Sequence, residues 1–183
     1  VITQLTALQQ KPESILVFEL MLFTDGSVDA RTHIGFGAYL AVEDINLPPV
    51  DLMAKVKVKQ FENTSSTTLE LQTLLWAIDD ALSSGAGKKL GFVIYSDSQN
   101  ILGLPARRNG LEQRDYYANN GKRLKNAKIY QDFYEVIDRY DCQFIKVEGH
   151  KPQHTKNATD KIFALVDKAS RCALRRFLCG TIL

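Results

Sequence analysis

The sequence has little of what would mark a secreted, membrane-bound or repeat protein. Cysteine is scarce and odd in number, at Cys142, Cys172 and Cys179. No two of the cysteines have a metal-ligand spacing, so free thiols in a reducing compartment are expected, with the cytoplasm as the default. No apolar stretch reaches the roughly 18 residues of a membrane span. The longest apolar-rich run, Ile15 to Phe23, is broken by Glu19. The basic, apolar, then small pattern of a secretory leader is missing from the first residues. Internal repeats and low-complexity tracts are absent as well. So is any strong charge bias, since 23 Lys and Arg face 21 Asp and Glu for a net +2. Bulk electrostatics therefore does not announce a nucleic-acid binder, and a basic surface would have to be local.

What is present suits a globular domain. The 183 residues are 45% hydrophobic and 24% charged, enough for one domain with one sizeable core. Residues 1–14 are polar and irregular and are read as an arm, leaving 15–183 as the domain. Ile15–Thr24 is a strong strand, and Ile34–Val42 a second. Lys55–Phe61 alternates Lys and Val, the period of a half-buried antiparallel strand with a basic outer face. Pro48 and Pro49 fall in the connection before it. Leu71, Leu74, Leu75, Ile78, Ala81 and Leu82 then share one helical face, with caps available at Ser65 to Thr68 and a stop at Gly85. Leu90–Tyr95 is apolar on both faces, as a buried parallel strand would be. A short helix at 99–104, a polar loop at 105–126, a helix near 127–140, a strand at 143–147 and a long helix at 157–177 complete the order. Strands and helices in this order predict an α/β fold, a mixed sheet with helices on its faces.

Three carboxylates stand where such a fold would gather them. Asp25 closes the first strand within Phe23-Thr24-Asp25-Gly26-Ser27. Asp97 closes the fourth within Tyr95-Ser96-Asp97-Ser98-Gln99. Glu70 lies in the first turn of the long helix. Buried carboxylates normally protonate or pair. A cluster is tolerated when a divalent cation supplies the opposite charge, and oxygen-only ligands favour Mg²⁺ or Mn²⁺ over zinc. Taken singly, each acid also has a bland reading: a turn residue for Asp25, a helix-dipole partner for Glu70, a cap for Asp97.

These segments together resemble the type 1 ribonuclease H family. The first acidic segment followed by Gly35-Phe36-Gly37-Ala38 is similar to its first hairpin. Ser66-Thr67-Thr68-Leu69-Glu70-Leu71 is similar to its approach to the helix glutamate, and Ile94-Tyr95-Ser96-Asp97-Ser98-Gln99 to its third acidic segment. Gly121-Lys122 through Asn126-Ala127-Lys128-Ile129-Tyr130 and Val147-Glu148-Gly149-His150 follow in the family's order. The resemblance spans roughly residues 15–178. It implies a ribonuclease H-like five-stranded mixed sheet, three strands antiparallel and two parallel, flanked by helices. It also implies two Mg²⁺ ions (Mn²⁺ being the substitute), about 3.5–4 Å apart, held by Asp25, Glu70, Asp97 and a fourth aspartate. One ion would activate water and the other would stabilise the leaving 3′ oxygen, giving 5′-phosphate ends. The implied substrate is an RNA–DNA hybrid, recognised through 2′-hydroxyls in its shallow minor groove. Gly26, Ser27, Ser66, Thr68, Ser98 and Gln99 are the implied substrate contacts. A monomer with no membrane partner is expected.

The fourth acid has two candidates. Asp160 has the more usual spacing from His150, whereas Val166-Asp167-Lys168-Ala169-Ser170-Arg171 is closer to the family's final motif. Asp167 is favoured. The pair stand about 10 Å apart along a helix, so one metal pair is not expected to use both directly. By resemblance, His150 is a mobile general acid or product-release aid, whereas His33 and His154 read as surface residues. The 107–125 region carries Arg107, Arg108, Arg114, Lys122, Arg123 and Lys125 beside Tyr116 and Tyr117. It reads equally as a grip on DNA phosphates and sugars or as a solvated loop. The chain departs from the family in having no tryptophan between 98 and 140, and no glycine-rich segment after Asp25. The alternatives are a non-catalytic binding module of the same fold and a nuclease acting on another nucleic acid.

Overall fold

The computed structural model describes residues 19–86, 91–148 and 153–180. Ten main elements run β1 (Glu19–Asp29), β2 (Ile34–Val42), α1 (Pro49–Lys55), β3 (Lys57–Phe61), α2 (Ser66–Ala81), β4 (Gly91–Ser96), α3 (Gln99–Glu112), α4 (Ala127–Arg139), β5 (Cys142–Lys146) and α5 (Ala158–Leu178). The strands form one sheet in the order β3-β2-β1-β4-β5. The β1–β2 and β2–β3 pairs are antiparallel; β1–β4 and β4–β5 are parallel. This is the ribonuclease H-like mixed sheet expected from the sequence. The arm at 1–14 and the start of the first expected strand lie outside the described residues.

Strand alternation sends side chains to two cores. Leu20, Leu22, Phe92 and Ile94 pack under α2, α3 and α4, against Leu71, Leu74, Ile78, Ile101 and Phe133. Phe23, Ala38, Leu40 and Val42 face the other way, onto Ile162, Phe163 and Val166 of α5 and Leu52 of α1. Helix α2 lies very close to the sheet because glycines leave room beneath it. A Cβ on Gly26 would stand 2.8 Å from Leu69, one on Gly35 2.7 Å from Leu69, and one on Gly37 2.1 Å from Thr73.

Several boundaries differ from the sequence reading. β1 does not end at Asp25 but runs on to Asp29, because its pairing with β2 continues as far as Asp29 opposite Ile34. The connection holding Pro48 and Pro49 contains α1, with a proline in its first turn and Leu52 buried. A proline there gives up no helical hydrogen bond. The third strand is narrower than 55–61 and mostly exposed, as expected of a sheet edge. α2 stops at Ala81 and passes into a π-helical turn, Leu82–Ala86. The supposed loop from 105 is helix as far as Glu112. α3 passes through Pro105, held on either side by buried Leu104 and Leu111.

Candidate active site

β1 and β4 run in parallel with Phe23 opposite Tyr95. Their rings stack at 4.5 Å and 5°. The strand pairing ends at these two residues, two positions short of Asp25 and Asp97, and the Asp97 charge lies near enough to act on Asp25. The stacked rings belong to the α5-side core, two residues before each carboxylate along its strand. Burial pushes the Asp25 carboxyl up to about 6; a hydrogen bond from Ser170 opposes this, and the nearby Asp97 and Asp167 charges add to it. Asp97 follows directly on the last residue of β4.

Glu70 sits one turn further into α2 than the sequence suggested. The first turn of that helix carries no acid, and Ser65 is the N-cap, its Oγ accepting from the Thr68 amide at 3.4 Å. The dipole reading of Glu70 therefore lapses. Its carboxyl is also raised, first by burial and then by the Asp97 charge, against hydrogen bonds from Ser98 and Ser66. The Ser98 hydroxyl donates to Glu70 Oε2 and also accepts from the Ile101 amide as the N-cap of α3. One serine thus starts a helix and holds an acid. Asp97 is the charge common to the surroundings of Asp25 and Glu70.

The two candidates for the fourth acid sit in different surroundings. Asp160 is buried near the start of α5, where it forms a capping box with Asn157. Its Oδ2 accepts from the Asn157 amide at 3.1 Å, and its own amide donates to Asn157 Oδ1 at 2.8 Å. Asp167 is close enough to Asp25 to raise that carboxyl, and its Oδ2 accepts from Arg171 one turn on. Among the described residues, no three acidic, histidine or cysteine side chains form a ready-made cage for an ion. The carboxylates instead lean on donors, Asp25 on Ser170, Glu70 on Ser98 and Asp167 on Arg171. The donor set of four carboxylates, oxygen-only and hard, nevertheless fits a divalent cation such as Mg²⁺.

The expected substrate contacts divide. Ser66 and Gln99 are exposed. Thr68 donates to Asn126 Oδ1 at 3.1 Å and so ties α2 to the start of α4. Ser98 is buried and committed to Glu70. Ser27 is half-buried beside Ser170, and Gly26 lies under Leu69. His150 lies outside the described residues; His33 and His154 are exposed, as expected. In the basic region Arg108 is tied to Glu112 and Asp138, and Arg107 to Asn100. Tyr116 is buried while Tyr117 is exposed, so the two tyrosines do not form one surface pair. The sequence reading did not assign roles to Ser170, Arg171 or Asn126. The i, i+3 spacing of Asp167 and Ser170, which puts both on one helix face, was the available signal for Ser170.

Fold and acidic rim together define a ribonuclease H-like α/β protein. The family model for RNase H matches residues 18–166, and the chain belongs to that family. Among its relatives are proteins named Ribonuclease H from two Clostridium botulinum strains, Hall and ATCC 19397. Each is 27% identical over 112 residues, covering 57% of this chain and 68% of the relative.

Proposed function

We propose that this ribonuclease H cuts the RNA strand of RNA–DNA hybrids at a site where Asp25, Glu70, Asp97 and Asp167 hold a pair of Mg²⁺ ions. The observation that supports the reading is the mutual influence of the acids: the Asp97 and Asp167 charges raise the Asp25 carboxyl, and the Asp97 charge raises that of Glu70. Clustered, partly buried carboxylates repel one another at neutral pH, and a divalent cation relieves that repulsion. When bound, the ions supply Lewis acidity and positive charge at the scissile phosphate.

The chain's own residues do the rest. The burial of Asp25 lowers the local dielectric and strengthens its hold on a cation. Ser98 fixes the direction of Glu70 from α2, and Arg171 fixes Asp167 on α5. Ser66 and Gln99 are exposed near the acids in sequence and are the best placed of the candidates to reach 2′-hydroxyls of the RNA strand. Asp160, in its capping box, holds the start of α5 instead of a metal.

The test is cleavage of a labelled hybrid by purified protein with Mg²⁺. RNA should be cut to fragments with 5′-phosphate ends while duplex DNA stays whole. Asp167→Asn should abolish cutting, and Asp160→Asn should cost stability before activity. An inert wild-type protein, or Asp167→Asn with full activity, would refute the assignment.

A further inference from the structure

Ser170 is completely buried on α5, on the face that packs against β1. Its Oγ lies 2.9 Å from Asp25 Oδ2, 3.0 Å from the Asp167 carbonyl and 3.2 Å from the Ser27 hydroxyl. A hydroxyl has one hydrogen and two lone pairs. Asp25 and the Asp167 carbonyl both need the hydrogen, and the carboxylate, being charged, makes the stronger bond. Ser27 can then donate to Ser170, closing a line of hydroxyls that runs from β1 to α5 and back to Asp25. The line spans 145 residues of sequence, and it touches the side chain of one acid and the backbone of another.

We propose that Ser170 is a positioning residue for the acidic site: by donating to Asp25 Oδ2 it fixes the rotamer of Asp25 and ties β1 to the α5 turn that carries Asp167. This rests on the two-ion reading above. With Oδ2 engaged by Ser170, the carboxylate is held in one orientation toward the site. Groups that orient a metal ligand typically change affinity by about 10–100-fold when lost. A merely structural serine would change stability and leave affinity alone.

The experiment is isothermal titration of Mg²⁺ alone into the substrate-free protein, beside cleavage measured across Mg²⁺ concentrations. Ser170→Ala should weaken Mg²⁺ binding by about tenfold or more. It should also move the Mg²⁺ midpoint of cleavage upward by a similar factor, with the KM for hybrid unchanged. Ser170→Thr retains the hydroxyl and should bring affinity back to near the wild-type value. Ser27→Ala, at a half-buried strand position, should give a smaller loss in the same direction and provides a reading if Ser170→Ala does not fold. Wild-type affinity in both alanine variants would overturn the proposal while leaving the two-ion reading standing. A wild-type protein that neither binds Mg²⁺ nor cuts hybrid would overturn the two-ion reading, and this proposal with it.

Discussion

Asp80 and Asp25 are both carboxylates near the sheet, and their surroundings treat them in opposite ways. Asp80, on α2, accepts from Lys57 at 2.5 Å and from the Tyr39 hydroxyl, and these bonds hold its carboxyl below the ordinary range. Asp25 stands on β1 near Asp97 and Asp167, and burial drives it up to about 6. The first acid has a cationic partner within the chain, Lys57, whereas the partners of Asp25 are a serine hydroxyl and other acids. A pair that is complete within the protein reads as structure, and one left incomplete reads as a place where something binds.

The sharpest way to break this contrast is to remove the acid that both neighbours sense. Asp97→Asn should reduce hybrid cleavage by on the order of a thousandfold or more, since metal stabilisation of the transition state is worth several kcal/mol; single-turnover rates at high Mg²⁺ measure it. Asp25→Asn should stabilise the metal-free protein at pH 7 by up to about 3 kcal/mol, because a buried charge disappears. The same variant should lose the rise in melting temperature that Mg²⁺ gives the wild type, as thermal denaturation with and without Mg²⁺ would show. The pH dependence has a definite sign. Between 3.8 and about 6 the native state keeps a proton on Asp25 that the unfolded chain has released. Stability of the metal-free protein therefore falls as pH rises from about 4 to about 6, and added Mg²⁺ should flatten the curve. Glu70, shifted the same way, adds to the effect. Denaturant midpoints across that range decide it. Asp80→Asn is the smallest change: a loss of about 1 kcal/mol at most, since the pair is partly exposed, with hybrid cleavage unaltered.

Much of this was legible in the sequence, for reasons that differ by residue. The strand at Ile34–Val42 and the helix over Leu71–Ala81 follow from apolar periodicity, which burial enforces directly. Asp25 and Asp97 stood out because each interrupts an apolar run with a charge. The extent of β1 was hidden because Asp25-Gly26-Ser27 has turn chemistry locally, and only pairing with β2 overrides it. The helix beyond Pro105 was hidden in the same way, since tertiary burial of Leu104 and Leu111 outweighs one lost hydrogen bond. Ser170 was least legible of all: its partner lies on another element, and nothing in a serine's neighbours along the chain names such a partner.

Leu69 rests against Gly26 and Gly35, and the next residue is Glu70. The height of that acid above the sheet is therefore gauged by two missing side chains. A single methyl at Gly35 would stand 2.7 Å from Leu69 Cδ2 and oblige that side chain to move, so a position remote from the acids would still press on the residue next to Glu70.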